Sequence, residues 1–313
     1  MYYFGVDLGG TNIKAGIVDD CGKIIHSDVC PTNAGRHYSE VIADITELIN
    51  KILKDSKIDI SKIKSIGIGV PGTCDTKNGI VICAANIDFE NVPMVAEFKK
   101  YFNVPVYIGN DANCAALGEY ESLDEDINNM VFITLGTGIG GGIILDKKLY
   151  TGTNGTAAEI GHMVIEKDGH ECGCGARGCW ETYASVTGLI RMTNEYAAAH
   201  PDSEIARACL DGVSGKTAFD LAKKGDKGGK QIVDEWILYL SMGIVNIINF
   251  LQPEVILIGG AISKEGDYLL NPVLEYQLKN KYSEISDRTK IKIAKLGNDA
   301  GVIGSAFLGK GAV

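Results

Sequence analysis

His162, Cys172, Cys174 and Cys179 fall within eighteen residues of this chain, in the stretch GHMVIEKDGHECGCGARGC, and Glu159 and Glu181 bracket them. Three thiolates and one imidazole close a tetrahedral shell around zinc and leave no position for water, so a metal held this way braces a loop and stays out of the reaction. Three thiols spaced C-x-C-x4-C argue against a metal-free reading. His170 lies two residues before Cys172 and is a second candidate for the nitrogen ligand; spacing leaves that choice open. The two bracketing carboxylates are then the groups whose chemistry has to be found.

A second pattern suits a polyphosphate. In DLGGTNIKAG, residues 7–16, Gly9 and Gly10 let backbone N–H groups approach phosphate oxygens, and Thr11 and Asn12 add polar side chains. Lys14 adds a positive charge, and Asp7 can hold the magnesium that accompanies ATP. The pattern recurs: VFITLGTGIGGGIILD, residues 131–146, aligns with FGVDLGGTNIKAGIVD, residues 4–19, at a constant offset of 127. Gly136, Thr137 and Gly138 therefore repeat the first glycine turn. A strand, glycine turn and strand present in each half predict a duplicated α/β domain whose two phosphate hairpins face each other across a cleft. No Gly-Lys-Ser/Thr follows either turn, which excludes a Walker loop. The residues after GTGIGGG, IILDKKLY, are β-rich where a dinucleotide-binding turn would open a helix. Hairpins gripping ATP from two halves describe an actin-like, ribonuclease H-like ATPase fold.

The elements that must position these groups follow from periodicity. Tyr3–Asp7, Ile13–Asp19 and Lys23–Val29 read as a meander of strands joined by tight turns. Val41, Ile42, Ile45, Leu48, Ile49 and Ile52 recur at helical spacing before a strand at Ile63–Val70 that stops at Pro71-Gly72. Val104–Ile108 is a strand that runs into Gly109-Asn110-Asp111 and a helix over Ala112–Tyr120. Open α/β sheets carry ligands and catalytic groups at such strand ends, although an aspartate there can also cap the helix. Beyond the cysteines the pattern is helical over Ser185–Ala199, Glu204–Leu210, Lys216–Lys223 and Gly229–Leu251, then a strand Val255–Ile258 closes on Gly259-Gly260 before a helix over Leu269–Lys279. The expected domains are a small one over residues 1–112, rejoined by a C-terminal helix near 299–313, and a large one over 113–298 that carries the zinc loop.

Bulk composition narrows the partners. The formal charge of −10 and the lack of basic runs weigh against nucleic acid and anionic membrane surfaces. The remaining cysteines (Cys21, Cys30, Cys74, Cys83, Cys114 and Cys209) are scattered mostly within apolar segments, as in a reduced cytoplasmic protein. MYYFGVDLGG has neither the basic start nor the apolar core of a signal peptide. The apolar stretch Ile237–Leu251 is too short and too polar to span a bilayer and reads as a buried helix.

DLGGTNIKAG, GVPG at 69–72, GNDAN at 109–113, LGTGIGGG, EIGH at 159–162, CGCGARGCWE at 172–181 and IGGAIS at 258–263 together resemble the ROK family of sugar kinases and repressors, over essentially the whole chain. Among its members the set looks most like the glucokinase type. The resemblance implies ATP-dependent phosphorylation of the 6-hydroxyl of a hexose, D-glucose first. Kinases for N-acetylmannosamine, N-acetylglucosamine, allose or fructose are the alternatives, and a sugar-sensing transcriptional regulator is the non-enzymatic one. Such a regulator would carry a basic helix-turn-helix module before the first glycine motif, and six residues precede Asp7 here. By the same resemblance Asp111 is the general base, and Gly72, Asn86, Asn110, Asp111, Glu159, His162 and Glu181 bind the sugar. His162 also joins Cys172, Cys174 and Cys179 on a structural zinc, and Mg2+ arrives with ATP. Gly259 and Gly260, with Ser263 close by, admit the adenosine. The chain has Ala85 and Phe89 where the family often has proline and tryptophan around the sugar-binding asparagine. Relatives of this type are homodimers or homotetramers.

Overall fold

In the computed structural model, which describes residues 1–285 and 288–310, the opening meander forms β1 (Tyr2–Leu8), β2 (Asn12–Asp19) and β3 (Ile24–Pro31). The chain continues through α1 (Tyr38–Ser56), β4 (Ile63–Val70), β5 (Thr73–Asp75), β6 (Ile80–Ala84), β7 (Phe89–Val92), α2 (Met94–Phe98), β8 (Val106–Asn110) and α3 (Asp111–Glu121). Then come β9 (Met130–Leu135), β10 (Ile139–Leu145), β11 (Lys148–Tyr150), α4 (Glu181–Ala184), α5 (Val186–Ala199), α6 (Glu204–Cys209), α7 (Thr217–Lys223) and α8 (Lys227–Leu251). The last elements are β12 (Val255–Gly260), α9 (Asp267–Asn280), β13 (Lys290–Ile293) and α10 (Ala300–Phe307). Residues 311–313 of the expected C-terminal helix lie outside the described residues.

The first sheet has the order β3-β2-β1-β4-β8 and the second β11-β10-β9-β12-β13. Counted within its own sheet each reads 3-2-1-4-5, a hairpin-linked meander with two further strands added beside its first strand. The duplicated actin-like fold is therefore present in the strand order as well as in the glycine turns. A small third sheet, β5-β6-β7, is inserted after β4.

Contacts divide the chain into two compact units, one of Met1–Phe132, Gly142–Ala158 and the segment from Leu296, the other of Ile133–Gly141 and Glu159–Lys295. Residues 113–132 and 142–158 thus cluster with the first unit, whereas the expected boundary at 112 assigned them to the large domain. The physical reason is the crossing of α3 and α10: a Cβ on Gly118 would collide with the Ala300 carbonyl, and one on Gly304 with the Cys114 carbonyl, so the two backbones pack directly.

Side chains of β1 alternate between two covered faces. Phe4, Val6 and Leu8 enter the core under α1, where Val41, Ile42, Ile45, Leu48, Ile49 and Ile52 are buried. Burying each such side chain contributes roughly 1.5–3 kcal/mol. Tyr3, Gly5 and Asp7 face α10: Tyr3 meets Phe307 edge to face at 5.8 Å, and Gly5 leaves room for the Val302 carbonyl. The pleat thus delivers the Asp7 carboxylate to the first turn of α10, against Gly301.

In the second unit α8 is long and apolar enough to cross a membrane, yet 61% of its most apolar window is buried within the protein. It is the helix on which the cysteine loop is anchored: Trp180, fully buried, lies where a Cβ on Gly243 would be and donates its indole N–H to the Tyr239 carbonyl at 2.8 Å.

Gly5→Ala should destabilise the protein by about 1–3 kcal/mol, because its methyl group meets the backbone of α10 and not a side chain that can turn away. The urea unfolding midpoint measures this, and a change below about 0.5 kcal/mol would mean that α10 is not seated as described.

Candidate active site

The first glycine turn is a short hairpin closed by Gly9 N–H to the Asn12 carbonyl at 3.0 Å. Thr32, just past the end of β3, pins it: its N–H donates to the Thr11 carbonyl at 2.9 Å and its hydroxyl to the Gly9 carbonyl at 2.6 Å. Gly10, Thr11 and Asn12 are exposed, as a phosphate-binding turn requires. Asn86 packs on this turn, its Cβ 3.6 Å from where a Cβ on Gly10 would stand. Lys14, read from sequence as a phosphate cation, has its ammonium engaged by the Asp299 carboxylate and, at 3.1 Å, by the Asn298 carbonyl. It ties β2 to the turn that starts α10.

Asp7 is half-buried beside this turn. Burial and the Asp111 carboxylate push its carboxyl up to about 6, while Lys14 pulls the other way. Two carboxylates placed so that one resists ionisation make a locus that favours a cation.

At the end of β8 the cap of α3 is Asn110: its side-chain oxygen accepts from Asn113 N–H at 3.1 Å and its amide donates to the Gly72 carbonyl at 3.1 Å. Asp111 follows as the first helical residue, with Oδ1 accepting from Ala112 N–H at 2.8 Å. The capping role that an aspartate could have filled belongs to its neighbour. Gly72, at φ 126°, is required by its surroundings, since a Cβ would collide with the Cys83 carbonyl.

In the second unit the cysteine loop is folded by its own backbone. Cys172 N–H donates to Ala176 carbonyl at 2.9 Å, Gly178 N–H to His170 carbonyl at 2.8 Å, and Trp180 N–H to Met163 carbonyl at 2.8 Å. Gly178, at φ 78°, could not carry a side chain against the Glu166 carbonyl. The result brings one donor atom from each of His162, Cys172, Cys174 and Cys179 within 4.8 Å of one another. His162 reaches the thiols; His170 instead packs on the ring of Tyr183 at 5.3 Å. Tetrahedral zinc, with bonds of about 2.3 Å to sulfur and about 2.05 Å to nitrogen, needs S···S of about 3.8 Å and S···N of about 3.6 Å. Cys174 and Cys179 sulfurs stand 3.7 Å apart, and Cys172 Sγ lies 3.6 Å from His162 Nδ1. Donor set and spacing both fit. With Nδ1 toward the sulfurs, Nε2 is the ring nitrogen left for another partner.

Glu159 is exposed before the 3-10 turn Ile160–His162, and Glu181 is half-buried at the start of α4. The second glycine turn closes through Gly136 N–H to the Gly138 carbonyl at 3.0 Å, with Thr137 exposed at its tip. Gly259 and Gly260 end β12. Gly260, at φ 88°, lies against the Leu135 backbone, and its carbonyl accepts from the Ser263 hydroxyl at 2.8 Å.

A 3-2-1-4-5 sheet in each half, glycine hairpins at matching positions and a carboxylate at a strand end define the class as actin-like sugar kinases and their relatives. The ROK family model matches residues 3–312, and the chain belongs to the ROK family. It is 38% identical to a glucokinase of Halalkalibacterium halodurans, over 99% of this chain and 95% of that one. A crystal structure of a ROK family glucokinase from Streptomyces griseus, in complex with glucose and AMPPNP, superposes with a TM-score of 0.83 at 33% identity, covering 98% of this chain and 99% of that one. A xylose repressor of Caldicellulosiruptor bescii is 30% identical over 96% of this chain and 76% of its own length.

Two outcomes test these placements. Because the folded protein binds the Asp7 proton more tightly than the unfolded chain, the ionised carboxylate costs stability above about pH 6, and the cost is relieved as pH falls through 6 toward 4. Asp7→Asn should therefore raise stability at pH 7 by about 1–3 kcal/mol, with the gain gone near pH 4; urea unfolding at the two pH values checks the sign. Cys174→Ala should lose stoichiometric metal on purification, and unchanged metal content by elemental analysis would remove this residue from the ligand set.

Proposed function

We propose that this chain transfers the γ-phosphoryl group of ATP to the 6-hydroxyl of D-glucose, giving glucose 6-phosphate and ADP. The observation that carries the reading is Asp111, a carboxylate at the carboxyl end of β8 on a helix whose cap is already supplied by Asn110, in a chain that matches glucokinases over its full length.

Asp111 accepts the proton of the 6-hydroxyl as that oxygen bonds to the γ-phosphorus and the bond from phosphorus to the β-phosphate oxygen breaks, with ADP leaving. Asn110, Gly72, Asn86, Glu159, Glu181 and Nε2 of His162 hold the sugar's hydroxyls. Carboxylates suit this role because a sugar lacking a hydroxyl leaves them without a donor. The hairpins at 9–12 and 136–138 hold phosphates, Asp7 receives the Mg2+ of ATP, and Gly259 and Gly260 let the adenosine approach the backbone. Zinc in the four-donor cluster would supply rigidity and no reaction step, fixing the ring of His162 through Nδ1. We place the enzyme in the cytoplasm on the six cysteines scattered outside the zinc loop, and as a homodimer or homotetramer on its resemblance to ROK kinases.

A coupled ADP assay across glucose, N-acetylmannosamine, N-acetylglucosamine, allose and fructose should give the highest kcat/KM for glucose. A higher value for an N-acetylhexosamine would reassign the substrate, and no turnover with any sugar would favour the regulator reading that the xylose repressors raise. Asp111→Asn should lower kcat by about a hundredfold or more with sugar affinity kept, as loss of a general base requires.

A further inference from the structure

Thr32 follows β3 directly and is fully buried, although it is polar. Each of its polar groups is committed. Its N–H donates to the Thr11 carbonyl at 2.9 Å, its hydroxyl to the Gly9 carbonyl at 2.6 Å, and its own carbonyl accepts from the Arg36 guanidinium at 3.0 Å. Arg36 is held in turn by the Asp44 carboxylate on α1 and donates to the Asn33 carbonyl at 3.0 Å. Two carbonyls of the first glycine hairpin thus point at Thr32, and a third, that of Asn12, is taken by Gly9 N–H at 3.0 Å. A trans peptide directs its N–H opposite to its carbonyl, so the hydroxyl that draws the Gly9 oxygen inward turns Gly10 N–H away from Thr32.

We infer that Thr32 is a positioning residue for the nucleotide: its hydroxyl fixes the Gly9–Gly10 peptide so that the hairpin offers an N–H, and not a carbonyl, to a phosphate. The role rests on the proposed kinase reading of that hairpin. The need for a lock follows from the two glycines. A peptide flip exchanges C=O and N–H by rotating ψ of the residue before and φ of the residue after, and between two glycines neither rotation meets a Cβ. Gly10 is exposed, and the nearest atom to a Cβ placed on it is the Asn86 Cβ at 3.6 Å, so packing offers little resistance. A flipped peptide would set the partial negative charge of the Gly9 oxygen on the side where phosphate oxygens arrive. Thr32 opposes that state with one hydrogen bond from a position that water does not reach. Its N–H bond to Thr11 holds the other arm of the hairpin independently of the hydroxyl.

The test measures Mg-AMPPNP and glucose affinities of the full chain by calorimetry, together with amide hydrogen exchange at Gly10 with and without the nucleotide. Thr32→Val keeps the shape and the backbone bond and removes the hydroxyl. It should weaken Mg-AMPPNP by about fivefold, the scale of one hydrogen bond, with glucose affinity within about twofold of wild type. Mg-AMPPNP should slow exchange of Gly10 N–H in the wild type and slow it less in Thr32→Val. Thr32→Ser, which restores the hydroxyl, should recover most of the nucleotide affinity. Unchanged Mg-AMPPNP affinity in Thr32→Val would overturn the inference, as would equal losses for sugar and nucleotide or failure of Thr32→Ser to rescue. Should Thr32→Val not fold, Thr32→Ala read against Thr32→Ser isolates the same oxygen, and the same outcomes decide. A substrate panel without turnover beside the expected nucleotide pattern would reject the kinase reading alone, and an unaltered Thr32→Val in a chain that phosphorylates glucose would reject this inference alone.

Discussion

The separations of 3.6 Å between Cys172 Sγ and His162 Nδ1 and 3.7 Å between the sulfurs of Cys174 and Cys179 are the constraint from which the second unit's candidate sugar groups take their positions. They match the edges of a zinc-centred tetrahedron, and the imidazole meets them with one definite nitrogen. Bare thiols have no reason to gather at that spacing beyond the turns that hold them, so the loop is built toward a metal. Trp180 carries that order into the core. In sequence it stands between Cys179 of the four-donor cluster and Glu181, and its ring fills the space beside Gly243 on α8. The loop is therefore fastened at one end by an aromatic plug, and at the other its four donor atoms lie close enough together for one metal ion to join them.

The first unit positions its groups through its sheet. Its pleat places Asp7 and Gly5 on the face covered by α10, and its strand end places Asp111 behind an asparagine that has taken over the cap. The two carboxylates disfavour each other's charge, and burial adds to that cost in Asp7. A fold tolerates such a cost where a ligand relieves it, and the magnesium of ATP is the cation the proposed reaction brings. Lys14 offsets part of the same field from its ion pair with Asp299.

Much of this was legible in the residues because the signals were local. The stripe from Val41 to Ile52 gave a helix, Ile63–Val70 a strand with the observed bounds, and the offset of 127 residues the repeat that reappears as two 3-2-1-4-5 sheets. What escaped was short or distant. Strands of three to five residues between 73 and 92 have no run long enough to show a period, and the partner of Lys14 lies 285 residues away. The choice between His162 and His170 was likewise undecidable from spacing, since it depends on where Tyr183 takes the second ring. Asn110 rather than Asp111 as cap is a subtler case. Both residue types suit that position, and the strand's last pairing, Val70 with Asn110, decides it by leaving Asn110 extended and Asp111 helical.

The central claim is that the metal cluster organises the groups that hold the sugar. Its most direct test is calorimetric titration of glucose into the same preparation before chelation, after chelation, and after zinc is returned. The account predicts glucose affinity weakened by about tenfold or more on removal, the scale expected when the ordering of a ligand's hydrogen-bonding partners is lost, and recovered on reconstitution. Equal affinity in all three states, with metal content shown to change, would contradict it.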